Sequence, residues 1–273
     1  MSVGIVGGGA EARVAARNRE RHRLGGRSIG FWLAVGLLSS AVAVSAGAAV
    51  VAERVEIPSG EWRLVGDLVV PEAAGRVPVA LLLNQAAGDR SVYGRLAEEL
   101  ARRGIASLRL DLRGHGESTN VGRFVAAEGT AILDGTPLDV AAALEVLRSR
   151  PGIDAGRIAV VGASYSGEKM MEAARAAGFA TAYVGLSPGS LSGDSIDAID
   201  RQGFPFLLVT SRDERWMKEV AAALRERSRS AHFLELDGSA HATDLLDEHP
   251  GLAGIVAEWI EGALLAAGTA GER

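Results

Sequence analysis

The chain contains no cysteine, which excludes disulfides and thiolate metal sites while identifying no compartment. It also lacks an excess of positive charge, and a formal net charge of −5 gives no reason to expect nucleic acid as a partner. No internal repeat and no low-complexity tract interrupts it. The two long irregular connections read from the sequence, 119–136 and 187–203, are too short to form a separate cap domain. Histidine is scarce, with five in 273 residues, so chemistry that needs an imidazole has few candidates. The length itself suffices for one full hydrophobic core.

What is present divides into two regions, 1–52 and 53–273. Arg13, Arg17, Arg19, Arg21, Arg23 and Arg27 precede an uncharged stretch from Ile29 to Ala52, which ends in small residues that include Ala46-Gly47-Ala48. A basic run, an apolar run and a small-residue exit make a secretory signal. About 20 apolar residues also suffice to cross a bilayer, and the arginines would then hold the N-terminus in the cytoplasm. The sequence therefore predicts export, to a periplasmic or secreted location, or membrane attachment through residues 29–52. Cleavage and anchoring both stay open. The first 48 residues carry four net positive charges, leaving −9 on the remainder. Gly4-Ile-Val-Gly7-Gly-Gly9 looks like the opening of a dinucleotide loop, but no strand precedes it and an arginine-rich run follows, so it is rejected.

From about Val50 the pattern alternates between apolar runs and amphipathic stretches. Val55–Ile57 and Arg63–Val70, separated by Pro58-Ser59-Gly60, read as an antiparallel hairpin. Buried strands are expected over Val77–Leu83, Ile105–Leu110, Ile158–Val161, Ala180–Leu186, Phe204–Thr210 and His232–Leu236. Helices are expected over Tyr93–Arg103, Pro137–Arg150, Glu168–Ala177, Arg215–Arg227 and Gly251–Ala267. Strands apolar on both faces, joined by helices, predict an α/β fold: a mostly parallel central sheet with helices on both faces. Sites in such sheets lie beyond the carboxyl ends of the strands.

Five Gly-x-Ser triplets occur, and two of them end a predicted strand. Gly185-Leu-Ser187-Pro-Gly189 fits the G-x-S-x-G string, whereas Gly162-Ala-Ser164-Tyr-Ser166-Gly167 has Ser in the last place. Chemistry favours the second. A nucleophile on a strand-to-helix elbow uses the backbone N–H of the next residue to stabilise an oxyanion. After Ser187 that residue is Pro188, which has no N–H; after Ser164 it is Tyr165, and a helix begins at once. Ser166 is small enough to be tolerated there. Ser164 is the predicted nucleophile, Tyr165 N–H an oxyanion donor, and Ser187→Ala is expected to leave activity unaffected.

A serine needs a general base, and the base needs an orienting acid. Of the histidines, His241 alone lies in a loop just beyond the last strand, within Leu236-Asp-Gly-Ser-Ala-His-Ala-Thr-Asp-Leu. The acid should follow the preceding strand. Asp213 does so and is the favoured residue, with the adjacent Glu214 as the alternative.

Together these residues resemble the α/β-hydrolase fold superfamily over roughly Val55 to Ala267. Ser164, Asp213 and His241 stand in that family's triad order. Asp111-Leu-Arg-Gly-His-Gly-Glu-Ser118 is similar to its D-x-R-G-x-G-x-S loop, in which His115 is a scaffold residue. Asn84-Gln-Ala-Ala-Gly88 occupies the place of its HG-x-x-G oxyanion loop, with Asn84 and Gln85 replacing His-Gly. The resemblance implies Ala86 N–H as the second oxyanion donor, with Gln85 next. Among subfamilies the chain looks most like small capless dienelactone hydrolase-like and serine aminopeptidase-like (S33) groups.

The reading that follows is a serine esterase working through an acyl-enzyme, with no metal and no organic cofactor, on a small-molecule ester or a short peptide. The alternatives are a peptidase or amidase, whose substrate amine Glu168, Asp194 or Asp197 would bind, and a non-catalytic, membrane-tethered binding domain.

Overall fold

The computed structural model describes residues 50–86 and 88–270, with side chains up to residue 266. The basic leader and most of the apolar segment lie outside the described residues. The strand β1 (Val50–Ser59) begins inside the apolar stretch read from sequence, so Val50, Val51 and Ala52 belong to the sheet. It pairs antiparallel with β2 (Trp62–Pro71), in register from Val50↔Pro71 to Ser59↔Trp62. The two-residue turn between them places Gly60 at φ +59°, a conformation glycine adopts without strain.

Six further strands follow: β3 (Val77–Leu83), β4 (Ala106–Asp111), β5 (Ile153–Ala163), β6 (Ala182–Leu186), β7 (Phe206–Ser211) and β8 (Ala231–Leu236). The sheet order is β1-β2-β4-β3-β5-β6-β7-β8. The β2–β4 pair is antiparallel, and every pair from β4 onward is parallel. Side-chain alternation along β3 shows why these strands read as continuous apolar runs. Val79, Leu81 and Leu83 face one hydrophobic layer, while Ala80 and Leu82 face the other.

The first layer is closed by helices α2 (Thr136–Ser149), α3 (Tyr165–Ala177), α4 (Gly193–Gln202) and α5 (Met217–Arg227), through residues such as Leu144, Met170, Ile199 and Leu224. The second is closed by α1 (Gly94–Arg102), α6 (Asp244–Glu248) and α7 (Leu252–Ala270), through Leu96, Leu245 and Ile260 among others. Each fully buried aliphatic side chain contributes about 1.5–3 kcal/mol, so two complete layers hold the sheet rigid from both sides. Among the described residues no helix is long and apolar enough to cross a membrane.

Two expected irregular segments contain structure. The 187–203 connection holds α4, capped by the Ser192 side chain at one end and by left-handed Gly203 at the other. The 119–136 connection contains two short 3₁₀ turns.

Candidate active site

The chain leaves β5 at Ala163 and enters α3 at Tyr165, so Ser164 alone makes the turn, at φ +52° and ψ −124°. This conformation is strained for a residue with a side chain, and tertiary contacts hold it. Ser164 N–H donates to Leu186 O at 3.1 Å, and Ser164 O accepts from the N–H groups of Gly167 and Gly189, both at 3.0 Å. Room for the turn comes from the glycines on either side. A Cβ on Gly162 would lie 2.7 Å from Ser166 O, and one on Gly167 would lie 2.5 Å from Pro188 Cβ. The Ser166 hydroxyl accepts from Ala163 N–H at 2.8 Å and lies 3.2 Å from Leu83 O and 2.9 Å from Ala163 O. The departure from glycine at this position therefore ties the elbow to β3.

Beyond β8, His241 is half-buried, with 35% of its side chain exposed, and the left-handed Ala242 (φ +56°) turns the chain after it. Its Nε2 lies 2.9 Å from Ser164 Oγ and its Nδ1 lies 2.7 Å from Glu214 Oε1. Ser164 and His241 thus meet as the sequence predicts, but Asp213 does not join them. The Asp213 side chain is exposed, while its N–H donates to Gly238 O at 3.0 Å. The carboxylate on His241 is that of Glu214, 1% exposed. The physical reason lies in the turn after β7. Glu214 N–H donates back to Ser211 O, which directs residue 214 inward, and its extra methylene supplies the reach. Side-chain chemistry alone does not separate adjacent acids; the direction of the turn does.

Glu214 Oε2 accepts from the Ser187 hydroxyl at 2.5 Å and from Ser211 N–H at 3.0 Å. Burial works to raise the pKa of this carboxyl. Hydrogen bonds from His241, Ser187 and Ser211 N–H outweigh it and hold the group below the usual carboxylate range. Trp216, 55% exposed, stands edge-on to the His241 ring with centroids 5.9 Å apart.

The loop after β3 is fixed from several directions. Buried Asn84 donates to Gln85 O and Gly88 O at 2.9 and 3.1 Å and accepts from Leu112 N–H at 3.0 Å. Gln85 Oε1 accepts from Thr243 N–H at 3.0 Å, which links this loop to the one carrying His241. Ala86 O lies 2.9 Å from His115 Nε2, and the opposite ring nitrogen of His115 lies 2.9 Å from Arg113 O. His115 stacks between Phe124 and Tyr165, at 5.2 and 6.0 Å. The Asp111–Ser118 turn is built around buried Asp111, which binds Arg90 and accepts from Glu117 N–H. The polar substitutions at 84 and 85 thus anchor the loop rather than loosen it. Tyr165 is the first residue of α3, so its N–H has no intrahelical acceptor and carries the positive end of the helix.

Of the residues considered for binding a substrate amine, Glu168 and Asp197 are otherwise engaged and Asp194 faces solvent. Glu168 is buried and accepts from Ser192 N–H, Ser192 Oγ and Ser195 Oγ at 2.8–2.9 Å. Asp197 pairs with Arg227, and Asp194 is exposed at the start of α4. A cleft of about 860 Å³, lined by Ala86, His115, Phe124, Arg123 and Arg90 among others, opens beside the Ala86 loop. Among the described residues no group of three or more His, Asp or Glu side chains converges to hold a metal ion.

The sequence pattern of the X-Pro dipeptidyl-peptidase (S15) family matches residues 59–194. No curated protein matches. Among solved structures, a dienelactone hydrolase-like promiscuous phosphotriesterase from metagenomic libraries aligns at 24% identity and a TM-score of 0.60, covering 80% of this chain and 97% of that one. Dienelactone hydrolase from Anabaena variabilis aligns at 19% identity and 0.57, covering 80% and 98%. A thermophilic carboxylesterase cloned from a metagenomic library aligns at 16% identity and 0.60, covering 80% and 90%. The expected α/β-hydrolase fold is borne out, shared with dienelactone hydrolase-like and carboxylesterase structures, and on the peptidase side the matching pattern is that of S15. The chain has the α/β-hydrolase fold.

Proposed function

We propose that the protein is a serine hydrolase that cleaves carboxylic esters through an acyl-enzyme, with Ser164 as nucleophile, His241 as base and Glu214 as the orienting acid. The observation that carries this reading is one continuous chain: Ser164 Oγ 2.9 Å from His241 Nε2, and His241 Nδ1 2.7 Å from a buried carboxylate. His241 removes the proton as Ser164 attacks the ester carbonyl, and Glu214 fixes the tautomer and balances the imidazolium. The N–H groups of Tyr165 and Ala86 stabilise the oxyanion, His241 protonates the leaving alkoxide, and water then releases the acid. The cleft beside Ala86 is lined by none of Ser164, Glu214 and His241, so only a part of the substrate remote from the scissile bond would lie there. The reaction so written uses no metal and no organic cofactor.

A fluorophosphonate probe is expected to label the protein at Ser164, and short p-nitrophenyl esters should be turned over. In Ser164→Ala, labelling should vanish and turnover should fall at least about a thousandfold. An unlabelled, inactive wild type would favour a non-catalytic binding domain and sink the reading. The S15 match supports a second reading, cleavage of Xaa-Pro amides. Against it, Glu168, the buried acid considered for a substrate amine, is already spent on Ser192 and Ser195. A panel of p-nitrophenyl esters and Xaa-Pro p-nitroanilides decides, and faster amide turnover would reverse the order. For location, we propose export or anchoring through residues 29–52, on the strength of the basic and apolar leader.

A further inference from the structure

We infer that Ser187, the serine of the G-x-S-x-G string that is not the nucleophile, positions the acid of the triad by holding Glu214 in place. The inference rests on the reading of Ser164, His241 and Glu214 as a catalytic triad. Three independent observations carry it.

The first is the contact. Ser187 is fully buried and its Oγ lies 2.5 Å from Glu214 Oε2, while the other carboxylate oxygen serves His241. A carboxylate held at both oxygens cannot rotate without breaking a charge-assisted bond. The hydroxyl can only be the donor here, because the ionised carboxylate offers no proton.

The second is the backbone. Ser187 sits at φ +38°, one of three described residues other than glycine with positive φ; the other two are Ser164 and Ala242, beside or within the triad. Glycine would adopt this conformation without strain. The side chain present adds a Cβ, which the backbone disfavours, and a hydroxyl, which Glu214 uses.

The third is the surrounding chain. Ser187 N–H donates to Val209 O on β7, the strand that leads to Glu214. Pro188 packs against Gly167 of the elbow helix, and Gly189 N–H donates to Ser164 O. One tripeptide therefore touches both ends of the triad. Removing the Ser187 hydroxyl leaves Ser211 N–H as the sole donor on Glu214 Oε2, so the carboxylate is held less firmly against His241 and stabilises its imidazolium less.

This reverses the expectation that Ser187→Ala is silent. The test compares wild type, Ser164→Ala, Ser187→Ala and Ser187→Gly on p-nitrophenyl acetate across pH, with fluorophosphonate labelling and thermal melts alongside. Both Ser187 variants should lose about tenfold in kcat, as expected for one hydrogen bond to a charged group, with KM little changed. The acid limb of their kcat/KM profile should move to lower pH. Ser187→Gly relieves the backbone strain while removing the hydroxyl, so it carries the test if the alanine variant folds poorly. Wild-type kcat and an unmoved acid limb in a folded variant, even with a lowered Tm, would overturn the inference and leave the Ser164 reading standing. A wild type that neither turns over ester nor takes the probe would instead remove the triad reading on which it rests.

Discussion

At the scale of single residues, Glu214 and Asp213 are neighbours in the chain with opposite surroundings. Glu214 is buried among His241, Ser187 and Ser211 N–H, whereas the Asp213 carboxylate faces solvent. Glu214→Gln keeps the volume but removes the charge that fixes the His241 tautomer, so kcat is expected to fall about 10³- to 10⁴-fold. Asp213→Asn should stay within about twofold of wild type, since exposed substitutions disturb little; ester turnover measures both. The same variant should reveal a pH effect on stability. The folded-state pKa of Glu214 is depressed, because its three donors outweigh the burial that opposes them. Its contribution is thus fully present above the unfolded carboxyl value of about 4.3 and is lost as pH falls through the lower folded value. Urea midpoints taken from neutral to acid pH should therefore drop less steeply in Glu214→Gln than in wild type. An equal drop would mean that the group does not carry this linkage.

At the scale of elements, the elbow shows two effects opposing one another. Gly167 lies in the first turn of α3, where alanine would gain about 1 kcal/mol in helix propensity. Its new Cβ would lie 2.5 Å from Pro188 Cβ and 3.0 Å from Pro188 Cα, and overpacking of that kind costs about 1–3 kcal/mol. Pro188 is bonded to Ser187 on one side and Gly189 on the other, so its displacement reaches Glu214 and Ser164 together. Gly167→Ala is expected to lower both Tm and kcat, and a variant with raised Tm and intact turnover would show that the loop yields freely. Elements with a clean apolar period were legible in the sequence: β3 matches its expected bounds, and α2 and α3 are displaced only at their ends. The α4 helix was not. Its cap at Ser192, its Ile196–Ile199 spacing and its stop at Gly203 were all present, but they lie in a run of Ser, Gly and Asp that equally suits a turn. What tips the segment into a helix is tertiary, because Glu168 accepts from both Ser192 and Ser195. The site divides in the same way. Ser164 and His241 follow from where strands end, whereas Glu214 and Ser187 depend on which way a turn directs adjacent side chains.

At the scale of the whole molecule, the buried members of both hydrophobic layers among the described residues run from Val55 to Leu264. The loops that carry Ser164, Glu214 and His241 hang from strands clamped between those layers. The start of β1 at Val50 sharpens what the leader can be. Removing Val50–Ala52 from the apolar stretch leaves 29–49, still about 30 Å long as a helix and so still enough to cross a bilayer. Cleavage after Ala48 would also leave every residue of β1 in place. Either route would deliver residues 49–273, which carry a formal net charge of −9 and hold those buried members of both layers. A chain starting at Ala49 should therefore keep the Tm of the full-length protein and its kcat on p-nitrophenyl acetate, and loss of either would show that the leader contributes to the fold. In cells, the full chain should place its esterase activity outside the cytoplasm. If it is released by cleavage, N-terminal sequencing should begin at Ala49. If it is anchored, activity should sediment with membranes and resist high salt, since an apolar span is not held by charge. Activity confined to the cytosolic fraction would contradict both routes and reduce the arginine-rich, apolar leader to an unexplained extension of the hydrolase domain.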